Sequence, residues 1–99
     1  MKLGNGISLK ELSSHPEYKV YLNNNPVWDY KLTGYILELI AFESEDDVET
    51  VTVGELCDYL LEEDVDFDAV MLVNEDTNQD VVDFKMKYKT VFLSNLILE

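Results

Sequence analysis

From Leu32 to Phe84 this chain carries 17 carboxylates and not one lysine or arginine. Its seven cations are all lysines and flank that window: Lys2, Lys10, Lys19 and Lys31 before it, Lys85, Lys87 and Lys89 after it. Like charges at that density repel one another, which works against compaction. Yet 46% of the chain is hydrophobic and those residues are threaded through the acidic window, so it reads as folded rather than as an acidic tail. Each element in the window must therefore bury one face and leave its acids in water. Ninety-nine residues make one domain, 1–99, with a single core.

The charge also excludes partners. Nucleic acid is a poor direct partner for a chain of net charge −14, because a phosphate backbone is held by clustered lysine and arginine. An anionic membrane surface is excluded on the same grounds. No apolar run approaches the roughly 18 residues that span a bilayer, and the opening Met-Lys-Leu-Gly-Asn-Gly lacks the apolar stretch of a signal peptide. Cys57 is alone and forms no internal disulfide. We expect a cytoplasmic protein.

Two stretches of the chain align. Ile7-Ser-Leu-Lys-Glu-Leu12 matches Val51-Thr-Val-Gly-Glu-Leu56, Tyr18–Asn23 matches Ala69–Asn74, and Gly34–Glu43 matches Thr90–Glu99 in pattern. The units would be 7–43 and 51–99, each helix, strand, turn, strand, the second longer by about a helical turn and one strand. Residues 44–50 would be an acidic connector. An internal duplication is one reading of this, and chance likeness of two short units is the other.

Ser8 with Glu11, and Thr52 with Glu55, are capping boxes that start helices at about 8–14 and 53–63. Val53, Leu56, Cys57, Leu60 and Leu61 then make one apolar stripe, opposite Glu55, Asp58, Glu62 and Glu63. Tyr35–Phe42 reads as a strand apolar on both faces and hence central. Val81–Tyr88 reads as a strand with one wet face, and Ala69–Val73 as a strand joined to it through the turn Asn74–Asp80. Asn23-Asn-Asn-Pro26 is the matching turn in the first half. The expected fold is α+β: a mostly antiparallel sheet of about five strands with both helices on one face.

Catalysis is poorly supplied. His15, the only histidine, falls at a helix exit before Pro16, and Cys57 falls on the apolar stripe among acids that disfavour a thiolate. No glycine-rich phosphate loop is present, and no pair of carboxylates stands out among 21 acids. We expect no enzyme and no cofactor. Asp64, Asp66, Asp68 and Glu75 have the spacing of a calcium loop, but Ala69 stands where glycine is needed and the next residues read as strand, so no metal site is expected. Trp28 and Tyr30 follow the Asn-Pro turn and are either packing residues or an aromatic binding patch.

The segment Val51–Leu60, its following Asp-rich loop and Ala69–Asn74 resemble a pattern found in small uncharacterised phage and prophage proteins, over about a third of the chain. In size and charge the chain also resembles DNA-mimic inhibitors that phages encode, such as anti-restriction and anti-CRISPR proteins. That likeness implies a protein-binding acidic surface in place of a catalytic site. The carboxylates expected to form it are Glu43, Glu45, Asp46, Asp47 and Glu49 in the connector, with Glu55, Asp58, Glu62, Glu63, Asp64, Asp66 and Asp68 on and after the helix. The expected partner is a basic nucleic-acid-binding protein; a homodimer is compatible with the sequence. The competing reading is an assembly adaptor acting through sheet edges and the aromatic patch of Trp28 and Tyr30.

Overall fold

In the computed structural model, residues 9–41 and 49–96 are described. Ser8, Glu43, Glu45, Asp46 and Asp47 lie outside them. The elements are α1 (Leu9–Leu12), β1 (Lys19–Leu22), β2 (Asn25–Pro26), β3 (Asp29–Thr33), β4 (Ile36–Ile40), α2 (Val53–Glu62), β5 (Met71–Asn74), β6 (Gln79–Asp80), β7 (Asp83–Lys87) and β8 (Thr90–Ser94). The class is α+β, as expected. The single sheet of about five strands is not: two four-stranded sheets form, ordered β2-β1-β8-β7 and β3-β4-β5-β6.

The discrepancy comes from two strands that serve both sheets. Val27 donates its N–H to Val20 in one sheet, and the next residue, Trp28, donates to Ile40 in the other, each at 3.0 Å. Val81 and Val82 repeat the hand-over, donating to Leu72 at 3.0 Å and Ser94 at 2.9 Å. Successive N–H groups of a strand point to opposite sides, so one continuous strand holds a neighbour from each sheet. Hairpins supply the outer pairs, while the inner pairs, β1 with β8 and β4 with β5, are parallel.

Both halves follow one hydrogen-bond plan. Lys19 donates to the Lys89 carbonyl as Met71 does to that of Tyr35, and Asn23 to Leu93 as Glu75 does to Leu39. Tyr30 N–H meets the Asp29 carboxylate at 2.8 Å, and Phe84 N–H that of Asp83 at the same distance. On this plan Leu22 stands opposite Leu93 as Asn74 stands opposite Leu39. The alignment of Asn23 with Asn74 was therefore one residue out, and Ile36, not Gly34, is the counterpart of Thr90. Among the described residues each half holds four strands, so the extra strand expected in the second half is not among them. β3 adds a strand to those expected, and it alternates strictly, Trp28, Tyr30 and Leu32 against exposed Asp29, Lys31 and Thr33.

Between the sheets lie Val20, Leu22, Leu37, Leu39, Leu72, Val91 and Leu93, all buried, joined by Leu9 and Leu12 from α1 and Val53, Leu56 and Leu60 from α2. Asn74 is a buried polar member of this set. Its amide donates to the Asn95 side-chain oxygen at 2.9 Å, which also accepts from Asn23 at 2.8 Å. The Asn95 amide in turn donates to the carbonyls of Gln79 and Asp80. One asparagine thus ties both turns at that end of the sheets, with its four side-chain bonds made.

The start of α2 is seated on the first half of the chain. Thr52 caps it, accepting from the Glu55 N–H at 3.2 Å, as the capping box requires. Val53 N–H donates to Tyr18 and Gly54 N–H to Pro16, at 2.9 and 2.8 Å, so orphan donors of the first turn find backbone acceptors. A Cβ on Gly54 would lie 3.0 Å from the Pro16 oxygen. Helix propensity alone would make Gly54→Ala stabilising by about 1 kcal/mol. We expect the clash to reverse that sign, lowering the urea midpoint of unfolding without changing its slope.

Candidate functional site

The acidic residues of the second half form a ridge along α2 and the loop after it. Glu55, Asp58 and Glu62 fall at i, i+3 and i+7, one line on a helix, and all are exposed. Ten residues make α2 about 15 Å long. At its end Asp64 takes the left-handed conformation (φ 57°) and donates its N–H to Leu61, while Val65 N–H donates to Leu60. This is a Schellman closure with aspartate where glycine is usual. It turns the chain so that Asp64, Asp66 and Asp68 continue the exposed acidic line. Lys10 of α1 reaches Asp68 at 3.3 Å, so Asp68 is partly neutralised; Asp58, Glu62, Glu63, Asp64 and Asp66 make no ion pair among the described residues. Glu49 is exposed ahead of the helix start.

Leu61 departs from expectation. It was read as the last member of the buried stripe, but it is 68% exposed. Eight residues on from Val53, the stripe has rotated off the sheet, and Leu61 ends on the flank next to Asp58. There it lines an open groove of about 490 Å³ with Val65, Phe67, Asp66 and Asp68, closed on the far side by Lys10 of α1 and Ser13 in the turn after it.

The other flank of α2 meets β3. The Tyr30 ring packs edge-on against Tyr59 at 5.0 Å, and its hydroxyl bonds to Glu55. Burial, with the negative charge of Glu55 next, pushes the phenol from 10 up to about 12. The structure thus joins Tyr30, from the aromatic patch, to Glu55, from the acidic set, and turns Tyr30 inward. Trp28 is half-buried. His15 stacks on Tyr18 at 4.5 Å, a packing role. Cys57 is buried, and burial followed by the Asp58 charge raises its thiol pKa, opposite to what a nucleophile needs.

The calcium-loop spacing does not become a site. β5 runs between Asp68 and Glu75, and four strand residues carry Glu75 about 13 Å along. Among the described residues, no three of His, Cys, Asp and Glu gather as metal ligands, and no helix is long and apolar enough to cross a membrane. Sequence reasoning missed the exposed Leu61 and a cluster of lysines around Tyr21 and Phe92. The alternation of Lys85 and Lys87 along β7 hinted at the second; nothing local reveals which strands adjoin it. No protein-family model, curated protein or solved structure matches this chain.

Tyr30 allows a direct check of the α2–β3 contact. Its proton is held in the native state above pH 10, where the unfolded chain releases it, so stability falls as pH rises from about 10 towards 12. Ultraviolet titration should show one tyrosinate step near 12, absent in Tyr30→Phe. The variant should also lose part of the alkaline decline in stability.

Proposed function

We propose that this chain is a non-enzymatic acidic inhibitor, of phage or mobile-element kind, that occupies the basic nucleic-acid groove of a host defence or DNA-processing protein. What carries the reading is where the acids sit. A helix C-terminus bears partial negative charge, and each carboxylate there costs about 0.3–1 kcal/mol. α2 nevertheless has Glu62 and Glu63 in its closing turn, followed by Asp64, and no basic residue there. Asp64 additionally occupies a backbone conformation that glycine adopts at less cost. Folding gains nothing from these choices; a surface that must be uniformly negative does.

Duplex DNA shows one charge per about 1.7 Å of axis, and a rigid ridge of carboxylates offers a basic groove a comparable array. Fixed on a helix and a closed turn, the acids are held in place before binding, so little ordering cost remains. Steering by the net charge would make association fast and salt-sensitive. The adaptor reading has lost support, since Tyr30 packs on Tyr59 instead of facing solvent.

The test is capture from a bacterial cytosolic lysate on the immobilised chain, with elution by salt and by duplex DNA. A basic nucleic-acid enzyme should leave at moderate salt and be displaced by the duplex. Glu62→Lys/Glu63→Lys/Asp66→Lys should retain none of it, while melting at an unchanged or higher temperature because the clash at the helix end is gone. Retention of the same enzyme by this variant would sink the proposal.

A further inference from the structure

Four of the seven lysines collect around one sheet face. Lys85 and Lys87 lie on β7 and Lys19 on β1, with Lys89 in the β7–β8 turn. Register places Lys85, Phe92 and Tyr21 in one row across the sheet, and Lys87, Thr90 and Lys19 in the next. Side chains alternate along a strand, so these six share the face opposite buried Val20, Val91 and Leu93. Rows are about 6.7 Å apart and adjacent strands about 4.8 Å, so three ammonium groups surround the aromatic pair. The Tyr21 and Phe92 rings touch at 5.6 Å, tilted by 51°.

This cluster is not dictated by the fold. The corresponding positions of the other half hold Met71 for Lys19, Val73 for Tyr21, Glu38 for Phe92 and Thr33 for Lys87, while Lys31 alone repeats a lysine, that of Lys85. Within the molecule, Lys87 Nζ lies over the Tyr88 ring at 5.0 Å from its centroid. In a chain with 21 acids, Lys19, Lys85, Lys87 and Lys89 form no ion pair among the described residues. The turn beside it is strained as well: Tyr88 and Lys89 both have φ 55°, a conformation suited to Asn-Gly.

The complement to this face lies on the same chain. Leu61 projects from the acidic ridge above the groove, with Asp58, Glu62, Glu63 and Asp66 around it. One surface is an aromatic centre with a lysine rim; the other has Leu61, Val65 and Phe67 at its centre and a mainly acidic rim in which Lys10 is paired with Asp68. We propose that the protein self-associates head to tail, the Leu61 ridge of one copy docking on the Tyr21–Phe92 face of the next. The two surfaces differ, so the contact is heterologous and propagates into chains instead of closing as a two-fold dimer. Single-stranded nucleic acid also binds lysines and rings, but it offers no match to Leu61, whereas a second copy supplies both charge and apolar centre.

Ionic strength gives the contact a signature. Each copy carries −14, and at about 10 mM salt the screening length of about 30 Å lets the net charges repel. Near 0.15 M it shrinks to about 8 Å and the local attraction acts; at about 1 M both are screened. Association therefore peaks at intermediate salt.

Sedimentation velocity of the full chain at these three salts, over a range of concentrations, tests this without any other partner, so its failure is separate from failure of the inhibitor reading. Mass should rise with concentration near 0.15 M alone. Lys85→Glu/Lys87→Glu should weaken association at least tenfold, as should Leu61→Ala/Glu62→Lys/Glu63→Lys. An equimolar mixture of the two variants should form a 1:1 dimer and nothing larger, since each keeps one intact surface. Circular dichroism checks folding, and Lys85→Gln/Lys87→Gln replaces the first variant if that one unfolds. A wild-type monomer at every salt, a mixture that stays monomeric, or a dimer that survives both variants overturns the proposal. So does binding of a labelled twelve-residue oligothymidine to monomeric protein that is lost in the lysine variant; that result would reassign the face to single-stranded nucleic acid.

Discussion

Everything in this molecule depends on two strands that belong to both sheets. At Val27–Trp28 and Val81–Val82, consecutive amides find carbonyls in different sheets, which locks the sheets face to face. Only that closure lets short strands of two to five residues bury a continuous set of valines and leucines. With the apolar residues withdrawn, the carboxylates of the central window have nowhere to go but outward. The anionic surface and the core are thus products of the same hand-over.

The helix seats respond to this arrangement. α2 begins where Pro16 and Tyr18 offer carbonyls to its first amides, and Gly54 allows the approach. Its Schellman closure satisfies the last carbonyls, but the closing turn combines like charges, the negative end of the helix and an aspartate with positive φ. Stability is gathered at one end of this helix and given up at the other. Such an imbalance is the observation on which the proposed acidic binding surface rests.

Local chemistry made much of this readable in advance. The Thr52 cap, the extent of α2, the Asn23–Asn24 turn and the β5–β6 hairpin all follow from residue type at fixed spacing, and the structure has them. What escaped was non-local. Trp28–Thr33 was the exception, since its alternation of Trp28, Tyr30 and Leu32 with Asp29, Lys31 and Thr33 is a local strand signal. Leu61 fits a helical stripe by spacing, and only the position of the sheet beneath decides that it misses. Of the acidic surface, the helix line of Glu55, Asp58 and Glu62 was legible from periodicity. Asp64, Asp66 and Asp68 were expected after the helix, but the Schellman closure that turns the chain there was not, because it uses aspartate and gives no glycine signal. The lysine face needed the parallel pairing of β1 with β8, which no hairpin rule supplies.

That parallel seam has a consequence in time. A ribosome delivers β1 among the first residues of this chain and β8 only after Ser94. The sheet containing β1 can gain its central neighbour only when nearly the whole sequence has emerged. Until then the β1–β2 hairpin is an unsupported pair, which is marginal alone, and the acidic window between the halves keeps nascent segments apart. Folding of this sheet thus waits on the emergence of β8, its last strand in chain order to pair with β1.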